Sequence, residues 1–174
     1  MSLLPAHFNA QLTALALATA LFAPAALAQT TPSTSPPQQL RGSTLDGKTF
    51  DLQALRGKVV MVVFWSTECA VCRDKMPELR ANVKGWMGQP FELVSVSTDR
   101  QRSNALTYTQ LVNATVPANQ RFTTLWTGES QYRDSFGTPG QLPAAYLLDK
   151  TGQLVEQYHG RIPPEAWDRI ADLL

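Results

Sequence analysis

The chain of 174 residues has few of the side chains that bind metals or nucleic acids. It contains two cysteines and two histidines, and its net charge at pH 7 is +1. Because it has no run of basic residues, nothing in it indicates a nucleic-acid partner. A zinc site as a rule has four ligands, and one of the two histidines, His7, lies in an N-terminal segment that we expect to be removed. The sequence therefore predicts no metal site.

The chain also has little that indicates a membrane span: its N-terminal apolar stretch is shorter than the roughly 20 residues typical of a membrane-spanning helix. Residues 12–22 are rich in Ala and Leu, and Ala26-Leu27-Ala28 matches the small-x-small pattern of a signal-peptide cleavage site. We therefore predict a signal peptide at residues 1–28 and a periplasmic protein. Residues 1–11 contain no Lys or Arg, so the alternative is an uncleaved segment that anchors the protein to the membrane.

A low-complexity segment follows the predicted signal peptide. Residues 29–39 consist of Gln, Thr, Pro and Ser. Such a composition cannot bury an apolar core, so it predicts a linker. The remaining residues, 40–174, contain no internal repeat and are enough for one domain with a hydrophobic core.

What the chain does have is a pair of cysteines three residues apart, Cys69 and Cys72. A disulfide between them would close a very small ring and add little stability, so the spacing favours a redox-active dithiol over a structural crosslink. Cys69 stands at the predicted start of a helix, where unpaired backbone N–H groups and the helix dipole favour a thiolate. We therefore predict that Cys69 is the attacking thiol and Cys72 the resolving thiol.

Hydrophobic periodicity and turn residues predict an α/β domain. The order is a β-hairpin, a βαβ unit, a helix, and a final hairpin followed by a helix, which implies a mixed sheet between helices in three layers. Residues 113–142 show no clear pattern. The predicted strands are 40–43, 49–52, 59–64, 91–97, 144–148 and 154–159, and the predicted helices are 69–87, 103–112 and 163–174.

Four segments resemble, in order, the thioredoxin superfamily and within it the exported TlpA/ResA-like thiol-disulfide oxidoreductases. They are the strand lead-in at 57–65, the Cys-Ala-Val-Cys motif with the following Met-Pro-Glu-Leu at 69–79, a Leu-Pro segment with its strand at 142–149, and a hairpin at 152–160. The resemblance spans about residues 40–174. It implies a thioredoxin-like three-layer fold with a mixed central sheet flanked by helices and an N-terminal β-hairpin.

The resemblance also assigns three residues to the binding of a protein substrate. Trp65 would pack beside the cysteine pair. Pro143 matches the cis-proline of the family, a bond type that is uncommon in general. The cis-proline leaves the backbone of Leu142 free to pair with an extended substrate strand beside Cys69.

Three positions concern the pKa values of the cysteines. Val63 stands where many thioredoxins have a buried Asp, and Lys75 stands where many TlpA/ResA-like proteins have a Glu. An ammonium near Cys72 would stabilise a thiolate, so Lys75 is a candidate for pKa tuning; the alternative is that it extends into solvent. Glu68, directly before the first cysteine, would oppose thiolate formation if it pointed inward.

The resemblance predicts a monomeric exported enzyme that reduces disulfides of other exported proteins. It needs no metal or organic cofactor, and a membrane thiol-disulfide carrier would donate its electrons. One alternative is a copper metallochaperone that uses Cys69 and Cys72. His159 is poorly placed to complete that site and is expected to be a surface or edge histidine. A peroxidase is a further alternative, although the Pro-x-x-x-Thr-x-x-Cys pattern is absent before Cys69.

Overall fold

The computed structural model describes residues 36–174 of the chain. The signal peptide predicted at residues 1–28 and residues 29–35 of the predicted linker lie outside this part. Within it, none of the helices is both long enough and apolar enough to cross a membrane.

The described residues form two sheets and three α-helices. In chain order the strands are β1 (Leu40–Ser43), β2 (Thr49–Asp51), β3 (Val59–Trp65), β4 (Phe91–Ser97), β5 (Thr123–Trp126), β6 (Arg133–Asp134), β7 (Ala144–Leu148) and β8 (Leu154–His159). Five of them make the main sheet in the order β5-β4-β3-β7-β8, and three make a small sheet in the order β2-β1-β6. The helices are α1 (Ala70–Gly85), α2 (Arg102–Asn113) and α3 (Glu165–Leu173).

The main sheet is built around β3, whose seven residues are all apolar and all buried. This strand is parallel to β4 and antiparallel to β7. A strand that is covered on both faces carries apolar side chains on both, which explains the continuous apolar run in the sequence. The predicted α/β fold with a mixed central sheet is confirmed.

Alternate side chains of β3 contribute to two apolar clusters. Val63 and Trp65 lie in a cluster that includes buried residues of α1 and α3. Val62 and Phe64 lie in the other, which contains Leu40 of β1. The side chains of β3 in the first cluster therefore pack with the helices α1 and α3, and those in the second cluster pack with the small sheet.

The predicted N-terminal hairpin is formed by β1 and β2, which pair antiparallel. Gly47 occupies its turn with φ +83°, a conformation that favours glycine. The third strand of the small sheet, β6, pairs with the other side of β1.

Strands β5 and β6 were not predicted. Both fall in residues 113–142, and they are four and two residues long. Segments this short cannot show a hydrophobic periodicity. Their stability comes from pairing with strands that are distant in the sequence, which the segments themselves do not reveal. β5 forms through parallel pairing with β4, where Leu125 is opposite Val96.

Candidate active site

The site lies where the ends of three strands meet at one edge of the main sheet. The last residue of β3, Trp65, is paired with Ser97, the last residue of β4. Ala144, the first residue of β7, is paired with Phe64. The residues that follow β3 and β4 and those that precede β7 are therefore neighbours.

The two cysteines lie just after β3 and are joined by a disulfide with a Cα–Cα distance of 5.2 Å. Cys72 is buried, with 1% of its surface exposed. Cys69 is only partly buried. Cys69 is thus the more accessible residue of the pair.

Cys69 is the N-cap residue of α1. Its Sγ accepts a hydrogen bond from the backbone N–H of Cys72 at 3.1 Å. The sulfur therefore occupies the position in which a cap side chain satisfies a free N–H group of the first helical turn. When the pair is reduced, the same N–H and the helix dipole favour the thiolate of Cys69.

A hydrogen-bonded loop, residues 66–68, connects β3 to Cys69. The N–H of Cys69 donates to the carbonyl of Ser66 at 3.2 Å, and the N–H of Glu68 donates to Ser66 Oγ at 3.1 Å. The guanidinium of Arg73, one turn into α1, donates to the carbonyl of Thr67. The loop is thus tied both to itself and to the helix.

Asp99, which sequence analysis missed, lies directly against this loop. It is 4% exposed. Its Oδ1 accepts hydrogen bonds from the Thr67 N–H at 2.9 Å, Thr67 Oγ1 at 2.6 Å and Ser66 Oγ at 3.2 Å, and its Oδ2 accepts one from Ser97 Oγ at 2.7 Å. The sequence signal that could have found it is a carboxylate just after a strand that neighbours β3 in parallel, since the carboxyl ends of such strands meet.

Trp65 and Cys72 belong to the same apolar cluster, against which Cys69 also packs. The indole of Trp65 is 2% exposed and lies 5.0 Å from the ring of Tyr108. Burial leaves almost no indole surface for a substrate to contact. Any effect of Trp65 on substrate binding would therefore be indirect, through its packing against the two cysteines.

The bond between Leu142 and Pro143 is cis, as predicted. Pro143 is buried and its carbonyl accepts a hydrogen bond from the Gly160 N–H at 2.8 Å. Leu142 is partly buried and packs against both apolar clusters. Its backbone N–H and carbonyl have no hydrogen-bond partner among residues 36–174.

Lys75 is buried, so the alternative that it extends into solvent is wrong. It is 4% exposed and lies on the inner face of α1 together with Cys72. Its Nζ is 2.7 Å from the carboxylate of Glu78, which also accepts a hydrogen bond from the Trp167 Nε1–H at 3.2 Å. The hydrogen bond from Lys75, followed by weaker contributions from Trp167, lowers the pKa of Glu78 despite some opposing desolvation.

The other two positions, Glu68 and Val63, contribute little or no charge to the site. Glu68 is exposed, where water and salt screen its charge from the cysteines. Val63 is 1% exposed and belongs to the apolar cluster of Cys72, so no carboxylate occupies that place.

His159 is exposed at the end of β8, an edge strand of the main sheet, as predicted. Its ring lies 6.3 Å from that of Tyr146. Among residues 36–174, no three side chains of His, Cys, Asp or Glu are grouped so that they could hold a metal ion.

Comparison with known proteins gives a family and several relatives. The model of the AhpC/TSA family matches residues 29–166. The chain is 28% identical to the thiol-disulfide oxidoreductase ResA of Bacillus anthracis over 116 residues, which cover 67% of this chain and 63% of ResA. It is 27% identical to ResA of Geobacillus thermodenitrificans over 123 residues, which cover 71% of this chain and 67% of that protein. The match therefore spans less than two thirds of the length of the B. anthracis relative.

Solved structures share the fold at low sequence identity. A thiol:disulfide interchange protein of the thioredoxin family from Chlorobium tepidum has a TM-score of 0.62 and 21% identity, covering 79% of this chain and 94% of that one. A secreted Mycobacterium tuberculosis disulfide oxidoreductase homologous to E. coli DsbE has a TM-score of 0.57 and 20% identity, covering 76% and 95%. The solved structures share the fold of this chain, its sequence is similar to the ResA proteins, and the matching family model shows that the chain belongs to the AhpC/TSA family.

Proposed function

We propose that this protein is a thiol-disulfide oxidoreductase that exchanges the Cys69–Cys72 pair with disulfides of protein substrates, acting as a reductase. The observation that carries the proposal is the placement of the disulfide at the N-terminus of α1, with one sulfur partly accessible and the other buried. The similarity to proteins named thiol-disulfide oxidoreductase ResA supports it.

The reaction consists of two thiol-disulfide exchanges. The Cys69 thiolate attacks one sulfur of the substrate disulfide, forms a mixed disulfide, and releases the other substrate sulfur as a thiolate that takes up a proton. The Cys72 thiol then loses its proton and attacks Cys69 Sγ. The Cys69–Cys72 disulfide forms, the second substrate sulfur leaves as a thiol, and two electrons have passed to the substrate.

The Leu142–Pro143 segment is the proposed site for the substrate chain. Antiparallel pairing of Phe64 with Ala144 places this segment across from the end of β3, at the edge where the cysteines lie. The unpaired backbone groups of Leu142 are suited to hydrogen bonds with an extended peptide. Such bonds are independent of the substrate's side chains, so we expect the segment to accept varied sequences around the substrate cysteine.

Lys75 is proposed to tune the pKa of the resolving thiol. Its position three residues after Cys72 puts both side chains on the inner face of one helix. An ammonium there stabilises a thiolate, and the nearby carboxylate of Glu78 weakens that effect by pairing with the ammonium. Glu68 is proposed to have only a small effect because it is exposed.

The proposed setting is the periplasm, reached after cleavage following Ala28, with an anchored form as the alternative. In this proposal the protein works as a monomer without an organic cofactor and receives electrons from a membrane thiol-disulfide donor. Mass spectrometry of the exported protein tests the cleavage: Gln29 is the expected first residue, and an intact Met1 in the membrane fraction would indicate the anchor.

Disulfide exchange with a model substrate tests the activity. The reduced protein is mixed with a peptide that contains one disulfide, and mass spectrometry follows reduction of the peptide and oxidation of the protein in equal amounts. Equilibration in glutathione buffers gives the reduction potential of the pair. A protein that exchanges no faster than glutathione but binds one Cu(I) through both cysteines would instead be a copper metallochaperone.

A further inference from the structure

We propose that Asp99 is a positioning residue for the Cys69 thiol. Its buried carboxylate holds the loop 66–68 so that the sulfur stays at the N-terminus of α1. The inference rests on the proposed role of Cys69 as the attacking thiol. It adds a residue that lies 30 positions away in the sequence and is not part of the cysteine motif.

The carboxylate is held by neutral donors and not by a cation. Asp99 is 4% exposed, and its two oxygens accept four hydrogen bonds from Ser66, Thr67 and Ser97. No Lys, Arg or His within residues 36–174 forms an ion pair with it. A buried carboxylate is costly unless its oxygens are hydrogen-bonded, so the loop and the carboxylate depend on each other.

Three of the four donors belong to the loop that leads into Cys69. They are the hydroxyl of Ser66 and both the N–H and the hydroxyl of Thr67. Ser66 in turn accepts two hydrogen bonds. Its hydroxyl accepts one from the N–H of Glu68, and its carbonyl accepts one from the N–H of Cys69. A continuous set of hydrogen bonds therefore runs from the carboxylate of Asp99 to the backbone of the first cysteine.

Asp99 is itself fixed to the main sheet. Its carbonyl accepts a hydrogen bond from the Trp126 Nε1–H at 2.6 Å, and its N–H donates to Ser97 Oγ at 3.1 Å. The N–H of Thr98 donates to the carbonyl of Trp65 at 2.8 Å. The ends of β3, β4 and β5 thus fix the backbone at Asp99, so that its carboxylate holds the loop in a defined position.

Positioning and simple charge have opposite effects on the Cys69 thiol. If Asp99 acts by positioning, its removal frees the loop, the hydrogen bond from the Cys72 N–H to Cys69 Sγ weakens, and the pKa of the Cys69 thiol rises. If Asp99 acts only as a nearby negative charge, its removal relieves repulsion of the thiolate and the pKa falls. The direction of the change therefore separates the two.

The test is the pH dependence of Cys69 alkylation by iodoacetamide, measured by mass spectrometry in a Cys72→Ser background. Asp99→Asn keeps the shape of the side chain but places an amide against the donors. We expect the midpoint of the alkylation rate against pH, which reports the pKa of the Cys69 thiol, to rise by about one pH unit. Below this midpoint, alkylation of the variant should then be about tenfold slower than that of the protein with Asp99. Thermal unfolding measured in parallel shows whether the variant is folded at the assay temperature.

Asp149→Asn is the matched control. Asp149 Oδ1 accepts hydrogen bonds from the Thr151 N–H at 2.8 Å, from Thr151 Oγ1 at 2.7 Å and from the Gln153 N–H at 3.0 Å. Like Asp99, it therefore binds both the N–H and the hydroxyl of one threonine. It lies in the turn between β7 and β8, beside the start of β3 and away from the cysteines. Its substitution should leave the alkylation midpoint unchanged.

Thr67→Val is a second variant that keeps the carboxylate and removes one of its hydrogen bonds. We expect a rise of the midpoint in the same direction as in Asp99→Asn but smaller. An unchanged midpoint in folded Asp99→Asn and in Thr67→Val would reduce Asp99 to a structural residue, and a lowered midpoint in Asp99→Asn would mean that charge dominates. Either result overturns the inference. Faster alkylation of Cys72 than of Cys69 in the wild-type protein would instead contradict the proposed function.

Discussion

The backbone N–H of Cys72 donates a hydrogen bond to Cys69 Sγ at 3.1 Å. The donor residue has 1% of its surface exposed, whereas the accepting residue is only partly buried. The two sulfurs of one short motif therefore differ in both access to solvent and access to the helix N-terminus. This difference supports the proposed order of attack, in which Cys69 reacts first with the substrate and Cys72 then resolves the mixed disulfide.

Replacement of one cysteine at a time tests that order. We expect Cys72→Ser to accumulate mixed disulfides with a disulfide-containing peptide, because the resolving thiol is missing. Cys69→Ser should trap almost none, because Cys72 is buried. Non-reducing electrophoresis and mass spectrometry measure the trapped species. Equal trapping by the two variants would contradict the assignment.

Removal of the buried ammonium tests the role of Lys75. An ammonium that stabilises thiolates stabilises the reduced protein, so Lys75→Met should shift the reduction potential to a more negative value. One pKa unit corresponds to about 1.4 kcal/mol, which is about 30 mV in a two-electron couple. We expect a shift on the order of tens of millivolts at most, since Glu78 pairs with the ammonium.

Lys84→Met is the matched control for this measurement. Lys84 lies in the last turn of the same helix and is exposed. Redox titration in glutathione buffers should give the wild-type potential for this variant. Equal potentials in Lys75→Met and in the wild-type protein would make Lys75 a structural residue.

Four of the five strands of the main sheet, β3, β4, β7 and β8, were predicted because their signal is local. β4, β7 and β8 begin and end at the predicted residues, and β3 is one residue longer than predicted. Largely apolar runs predict β3, β4 and β7, and the glycine-containing turn at residues 149–152 separates β7 from β8. The strand β5 was missed because its four residues are stabilised by pairing with β4, and no pattern within 123–126 reports that pairing.

The site was predictable where it depends on the cysteine motif and on resemblance, and not where it depends on tertiary contacts. The polar run Ser97-Thr98-Asp99 is typical of an exposed loop, but the parallel register of β3 and β4 buries its carboxylate beside the cysteines. Lys75 has a side chain that is rarely fully buried unless it is paired, and its partner, Glu78, is recognised only from the folded structure.

The pH dependence of stability tests the Lys75–Glu78 pair. The pKa of Glu78 is lowered below its ordinary value of 4.5, chiefly by the hydrogen bond from Lys75. A carboxyl whose pKa is lower in the folded state stabilises the fold above its unfolded pKa, and this contribution is lost as the pH falls through the folded pKa. The effect is small because the Glu78 side chain is 44% exposed.

Urea unfolding of Glu78→Gln measures this contribution. At about pH 7 the variant should be less stable than the wild-type protein by about 1 kcal/mol or less, and at about pH 3 the difference should be close to zero. In a Lys75→Met background the same substitution should change stability little at either pH. A difference that persists in acid would mean that Glu78 stabilises the helix by another route.

A change in the substrate tests the Leu142 segment without altering the protein. The Leu142 backbone has no partner among the described residues, so an extended peptide can add hydrogen bonds there. We compare two disulfide-containing peptides, one of which is N-methylated at the amide next to the reacting cysteine. N-methylation removes one donor, and a hydrogen bond contributes about 0.5–1.5 kcal/mol, so exchange should become about two- to tenfold slower. N-methylation at the peptide's far terminus is the control and should leave the rate unchanged. Equal rates for both methylated peptides would exclude backbone pairing as the mode of substrate binding.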